Sequence, residues 1–97
     1  MTGFLLVDTG VDRQLAADAA ILAEAGHRVV LYLVQDGVTR ALRRHEPAGG
    51  DAAVWVDGAS LAHRALRPED LRPDATVVDM PQVADLLLAD GVRVVWH

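Results

Sequence analysis

Gly26-His27-Arg28-Val29-Val30-Leu31-Tyr32-Leu33-Val34-Gln35-Asp36-Gly37 is the stretch whose reading decides the fold. Val29–Val34 is apolar throughout, with no polar alternation, and it stops at a polar Gln-Asp-Gly turn. A parallel strand covered on both faces has this pattern. Gly26, just ahead, fits the stop of a preceding helix. Shorter runs of the same kind recur at Phe4–Val7, Ala53–Val56, Thr76–Val78 and Val92–Trp96, so about five strands are expected.

The segments between them have helical period. Leu15, Ala19, Leu22 and Ala23 share one face between Asp12 and Gly26. Val38, Ala41 and Leu42 start a short second helix ending in Arg40, Arg43 and Arg44, basic groups that the dipole favours at a helix C-terminus. Ser60–Leu66 reads as a third helix. Arg67-Pro68-Glu69-Asp70-Leu71 follows as a turn, and Pro81 opens a last helix running through Leu86, Leu87 and Leu88 to Gly91. His45-Glu46-Pro47-Ala48-Gly49-Gly50-Asp51 reads as a mobile loop. Strands alternating with helices imply right-handed βαβ units, a mostly parallel sheet, and one α/β domain over residues 1–97.

With 97 residues and 52% hydrophobic content the chain can bury a core, but a thin one, which makes stabilisation by oligomerisation the default expectation. A net charge of -5 and four aromatics (Phe4, Tyr32, Trp55, Trp96) argue against a nucleic-acid platform. All nine basic residues are arginine. Chemistry that needs a lysine, such as a P-loop or a Schiff base, is therefore excluded. Zero cysteines rule out disulfides, thiolate metal sites and thiol nucleophiles. The Phe4–Val7 run meets charge at Asp8, too soon for a signal peptide or a membrane span, so a cytoplasmic location is expected.

In an open parallel sheet, ligands bind beyond the carboxyl ends of the strands. Asp8, Asp36, Asp57 and Asp79 stand at or just after such ends. Converging carboxylates can hold a hard cation or serve as general acid and base, and aspartates there also cap the helices that follow. Asp8-Thr9-Gly10 and Asp36-Gly37 are glycine turns that complete neither a GxGxxG nor a GxxxxGK[ST] phosphate loop. His27, His45, His63 and His97 show no metal-ligand spacing, so neither a metal nor a cofactor is expected. His63 beside Arg64, after the third strand, lies near the expected cleft, and an enzyme pairing Asp57 with His63 stays open as one reading. Trp55 and Trp96 are candidates for the core or for a subunit interface. A receiver-domain pattern would place acids at Asp8 and Asp57, but the lysine it needs after the last strand is absent.

The segment from Gly26-His27 through the apolar run to Leu33-Val34-Gln35-Asp36-Gly37-Val38 resembles the second strand and turn of the DsrE/DsrF/DsrH superfamily, and its ending is most like the DsrH/TusB branch. Val54-Trp55-Val56-Asp57 with Ser60-Leu61-Ala62-His63-Arg64-Ala65-Leu66 is similar to that family's third strand and helix, where Arg-Gly is usual and Ala65 replaces the glycine. Val77-Val78-Asp79 and Val94-Val95-Trp96 resemble its fourth strand and aromatic end. The resemblance implies a flavodoxin-like three-layer sandwich and service in a sulfur relay that passes persulfide sulfur toward tRNA thiolation or sulfur oxidation. By spacing to Arg64, the family's carrier cysteine corresponds to Asp57, which cannot form a persulfide. The reading that follows is a non-catalytic DsrH/TusB-like subunit, partnered by DsrE/TusD-like or related chains or by copies of itself. The alternative is a stand-alone homo-oligomeric domain using the strand-end aspartates to bind a small ligand or cation.

Overall fold

Five apolar runs, each needing both faces covered, assemble into one sheet. Strands β1 (Gly3–Asp8), β2 (Arg28–Leu33), β3 (Ala53–Asp57), β4 (Ala75–Val78) and β5 (Val92–Trp96) are all parallel and lie in the order β4-β3-β2-β1-β5. The register sets Leu5 beside Val30 and Val94, and Val56 between Leu33 and Val77. The computed structural model describes residues 3–11, 14–43, 52–89 and 91–96. Asp12, Arg44, the 45–51 stretch and His97, together with the side chain of Trp96, lie outside the described residues.

Helices α1 (Gln14–Glu24), α2 (Gly58–His63) and α3 (Met80–Leu87) connect the strands, with 3-10 segments at Gln35–Ala41 and Pro68–Asp70. From β1 to β4 the chain advances in one direction across the sheet, and right-handed crossovers keep α1, the first 3-10 segment and α2 on one face. The β4-to-β5 connection travels back to the far edge, so α3 covers the opposite face. Side-chain alternation divides the core accordingly. Leu6, Leu31, Leu33, Val54 and Val56 pack with Leu15, Ala19, Val38, Ala41 and Leu61 on the first face. On the second, Leu5, Val7, Tyr32 and Val78 meet Val83, the one residue that α3 buries. The three layers form the flavodoxin-like sandwich, with a thick core on one side and a thin one on the other. Leu5, Leu6, Leu15, Leu31 and Leu33 are almost wholly buried; each such side chain contributes about 1.5–3 kcal/mol through burial.

α1 stops at Gly26, which has φ +90°. Gly26 N–H donates to the Ala23 carbonyl and His27 N–H to the Leu22 carbonyl, a Schellman closure that asks for a left-handed residue. α2 ends in the same way, with Ala65 N–H on the Ala62 carbonyl and Leu66 N–H on the Leu61 carbonyl. There Ala65 occupies φ +54°, so the alanine stands in a conformation that glycine adopts more cheaply.

Two helix expectations are corrected. The segment expected to be α-helical from Val38 is a 3-10 helix over Gln35–Ala41. It is pinned at one end by Val34 N–H on the Asp8 carbonyl, and at the other by the Leu42–Leu71 bridge with Arg43 N–H on the Asp70 carbonyl. The greater rise of a 3-10 helix, about 2.0 Å per residue, spans those anchors with fewer residues. The third helix runs over Gly58–His63 rather than Ser60–Leu66, because Asp57 caps it early and the turn at Ala65 stops it. No helix among the described residues is long and apolar enough to cross a membrane.

Candidate functional site

β3 delivers Asp57 to the carboxyl edge of the sheet on the α3 side, two residues from the core position Trp55 and out of phase with buried Val54 and Val56. Its carboxylate is fixed from three directions. Oδ2 accepts Ser60 N–H at 3.0 Å, capping α2, and Ser60 Oγ–H at 2.7 Å; Oδ1 accepts the Tyr32 hydroxyl at 3.1 Å. Ser60 Oγ in turn accepts Gln35 N–H at 2.9 Å, which ties the turn after β2 to the first turn of α2. Gln35 has φ +51°, so this bond helps hold a left-handed residue that is not glycine.

These polar groups form one end of a cavity of about 570 Å³. Leu5 and Val7 of β1 and Val94 of β5 supply its sheet side, and Met80, Val83 and Leu87 of α3 its other wall. β1 and β5 flank the point where the direction of the crossovers reverses, the position at which open α/β sheets bind ligands. A smaller hollow of about 360 Å³ lies under α3, bounded by Arg28, Trp55 and Asp85. Trp55 is half-buried against the thin core there.

Tyr32 is 5% exposed, and its hydroxyl pKa is pushed from 10.0 up to about 12. Burial is the largest cause, followed by the negative charge of Asp57 and then the hydrogen bond to it. Because the folded value lies above the unfolded one, this group contributes stability that is fully present below pH 10.0 and is lost as pH rises through about 12. Tyr32 is the one tyrosine of the chain, so tyrosinate absorbance reads it alone. The expected midpoint is about 12 in the folded protein. In Asp57→Asn it should fall only part of the way to the ordinary value, since burial remains. A midpoint unchanged by that substitution would refute the pairing with Asp57.

The other strand-end aspartates do different work. Asp8 is fully buried on the opposite face, where Oδ1 accepts Gly10 N–H at 2.8 Å. Arg40 Nε lies 3.2 Å from Asp8 Oδ2, within ion-pair range but off the direction of a hydrogen bond, so Oδ2 has no hydrogen-bond partner among the described residues. Asp36 is exposed, and Oδ1 accepts Arg64 Nε at 3.1 Å and a terminal guanidinium nitrogen at 2.9 Å; Arg64 also donates to the Ser60 carbonyl. Asp79 caps α3 through Gln82 N–H, and Gln82 returns a bond to Asp79 N–H. Gly37 is buried where its backbone packs against Asp8. His63 is exposed on α2, and the polar partners of Asp57 are Tyr32 and Ser60, not His63. Among the described residues no group of three His, Cys, Asp or Glu is arranged to hold a metal ion.

Sequence reasoning therefore brought Asp57 and Arg64 close to the cleft but missed Tyr32, Ser60 and the α3 wall. The Asp57-x-x-Ser60 spacing of a helix cap was a usable signal. Tyr32 lies out of phase with Leu31 and Leu33, which put it on the other face.

No protein-family model matches the sequence, and none of the curated proteins matches it. Among solved structures, the crystal structure of the YchN protein from E. coli superposes with a TM-score of 0.83 and 17% identity, covering 100% of this chain and 100% of that one. The likeness shows the fold alone: this chain shares the layered, parallel-sheet α/β fold of that protein.

Proposed function

We infer that this chain is a non-catalytic, DsrH/TusB-like subunit of a sulfur-relay complex, packing against a cysteine-bearing DsrE/TusD-like chain or against copies of itself. The observation that carries the reading is Asp57. A carboxylate stands at the carboxyl end of β3 and the head of α2, the place to which the family resemblance assigns the carrier cysteine. It is anchored by Tyr32 and Ser60 as a structural cap. With no cysteine anywhere in the chain, any persulfide must reside on a partner.

A partner surface is supported by the thin side of the sandwich. Met80, Leu87, Leu88 and Val94 are 62%, 45%, 83% and 40% exposed along α3 and the edge strand β5. Apolar side chains grouped in this way mark interaction surfaces. The complex would be cytoplasmic, and the net charge of -5 is unsuited to direct nucleic-acid contact. Co-expression with a DsrE-type carrier should give one co-eluting species on size exclusion. Leu87→Glu, at an exposed position, should release the partner and leave the chain folded. If neither a carrier nor a second copy associates with the wild-type chain, the subunit reading fails. A shared site for a hard metal cation has no comparable support, since the four aspartates sit with separate partners and do not converge.

A further inference from the structure

We propose that the cavity between α3 and strands β1, β2 and β5 is a binding site for a small apolar molecule bearing an ammonium group, with that group on Asp57. The cavity is complete within one chain, so the proposal does not rest on the subunit reading. Its volume of about 570 Å³ is that of a small-ligand site, for which about 300–1,000 Å³ is usual. Its polar groups are gathered at one end and its apolar ones at the other, so an occupant must be amphiphilic.

Charge selects the head group. Among the described residues Asp57 is the one charged side chain that lines the cavity, and no arginine does. Arg64, the cation next to that end, is engaged by Asp36 and by the Ser60 carbonyl. A carboxylate or phosphate ligand would thus face Asp57 without a counter-ion, in surroundings that magnify the repulsion. An ammonium would find a preorganised acceptor: three donors already orient the Asp57 carboxylate, which has about four lone-pair sites. The apolar tail would run between Val7 and Val94 on one side and Val83 and Leu87 on the other, removing the exposed surface of Val94 and Leu87 from water.

The test is a titration of the full chain with n-hexylammonium, 1-hexanol and hexanoate, followed by backbone amide shifts. Hexylammonium is expected to bind about tenfold more tightly than hexanol, as a charge-assisted hydrogen bond implies, and hexanoate not at all. Each methylene removed from the ammonium probe should weaken binding about fourfold. Shifts should centre on Val7, Tyr32, Gln35 and Val83. Asp57→Asn, which keeps a competent helix cap, should make the ammonium and the alcohol equivalent. Leu87→Trp, at the exposed mouth, should weaken every probe by filling the space. The proposal is overturned if no probe binds, if hexanoate matches hexylammonium, if Asp57→Asn keeps the ammonium preference, or if the shifts scatter over acidic surface elsewhere. Any of these results leaves co-elution with a carrier untouched.

Discussion

Gly37→Ala is expected to cost about 3 kcal/mol or more of folding stability, at the upper end for a single added methyl in a packed interior. A Cβ at position 37 would overlap the Asp8 carbonyl oxygen, stand 3.0 Å from the Asp8 carbonyl carbon and 3.2 Å from Gly10 N. All are backbone atoms, and none can yield alone. The Asp8 carbonyl accepts Val34 N–H at 3.0 Å, and Gly37 N–H donates to the Val34 carbonyl at 2.9 Å. Making room would therefore separate the end of β1 from the chain leaving β2, at the centre of the sheet. Gly26→Ala is the informative comparison. There the new methyl meets nothing within 4 Å, and the cost is backbone strain at φ +90°, about 1–2 kcal/mol. Urea denaturation of the two variants beside the wild type separates them by midpoint at constant slope. If Gly37→Ala lost no more than Gly26→Ala, the close approach of the 3-10 segment to β1 would be wrong. An intermediate result has a functional reading too, because Gln35, two residues earlier, is bonded to Ser60 at the polar end of the cavity.

How much was legible in the sequence follows from which forces are local. Val29–Val34 announces a strand covered on both faces by itself, and Gly26 announces a helix stop by itself; the observed β2 and the end of α1 differ from those readings by a residue or so. The layered parallel α/β fold is legible in the order of such motifs. What the motifs could not carry is juxtaposition. Asp36 stands in the sequence like the other strand-end acids, yet Arg64, 28 residues on, takes its carboxylate, and nothing periodic links the two. The 3-10 form of Gln35–Ala41 depends on anchors at Asp8 and Asp70, one far before it and one far after. The cavity draws on β1, β2, β3, β5 and α3, so no window of sequence contains it. Its shape follows from the thin cover of the second face, where the single long crossover from β4 to β5 places one eight-residue helix over the sheet.

Asp8→Ala is expected to cost about 3 kcal/mol, the low end of what breaking a buried ion pair does. Asp8 is wholly buried, whereas the Arg40 side chain is 23% exposed and can turn part of its guanidinium to water once its partner is gone, which moderates the loss. The same substitution strips Gly10 N–H of its acceptor, and leaving that part-buried donor without a partner is part of this cost. Asp8→Asn should lose less, because the amide oxygen can still accept from Gly10, while its NH₂ would face the donors of Arg40. Arg40→Met should hurt comparably for the opposite reason, since it leaves a buried carboxylate uncompensated. The double variant Asp8→Leu with Arg40→Met should then recover part of the loss, as well-packed apolar replacements of buried pairs often do. A double-mutant cycle of Asp8→Ala, Arg40→Met and the two combined, read by urea denaturation, isolates the coupling. Coupling near zero would mean that Asp8 is kept for its bond to Gly10, and that the 3.2 Å approach of Arg40 contributes nothing. Strong coupling would identify Asp8 as the clamp between β1 and the 3-10 segment. That clamp positions the turn whose Gln35 closes the polar end of the cavity, and so links the buried aspartate on one face of the sheet to the site on the other.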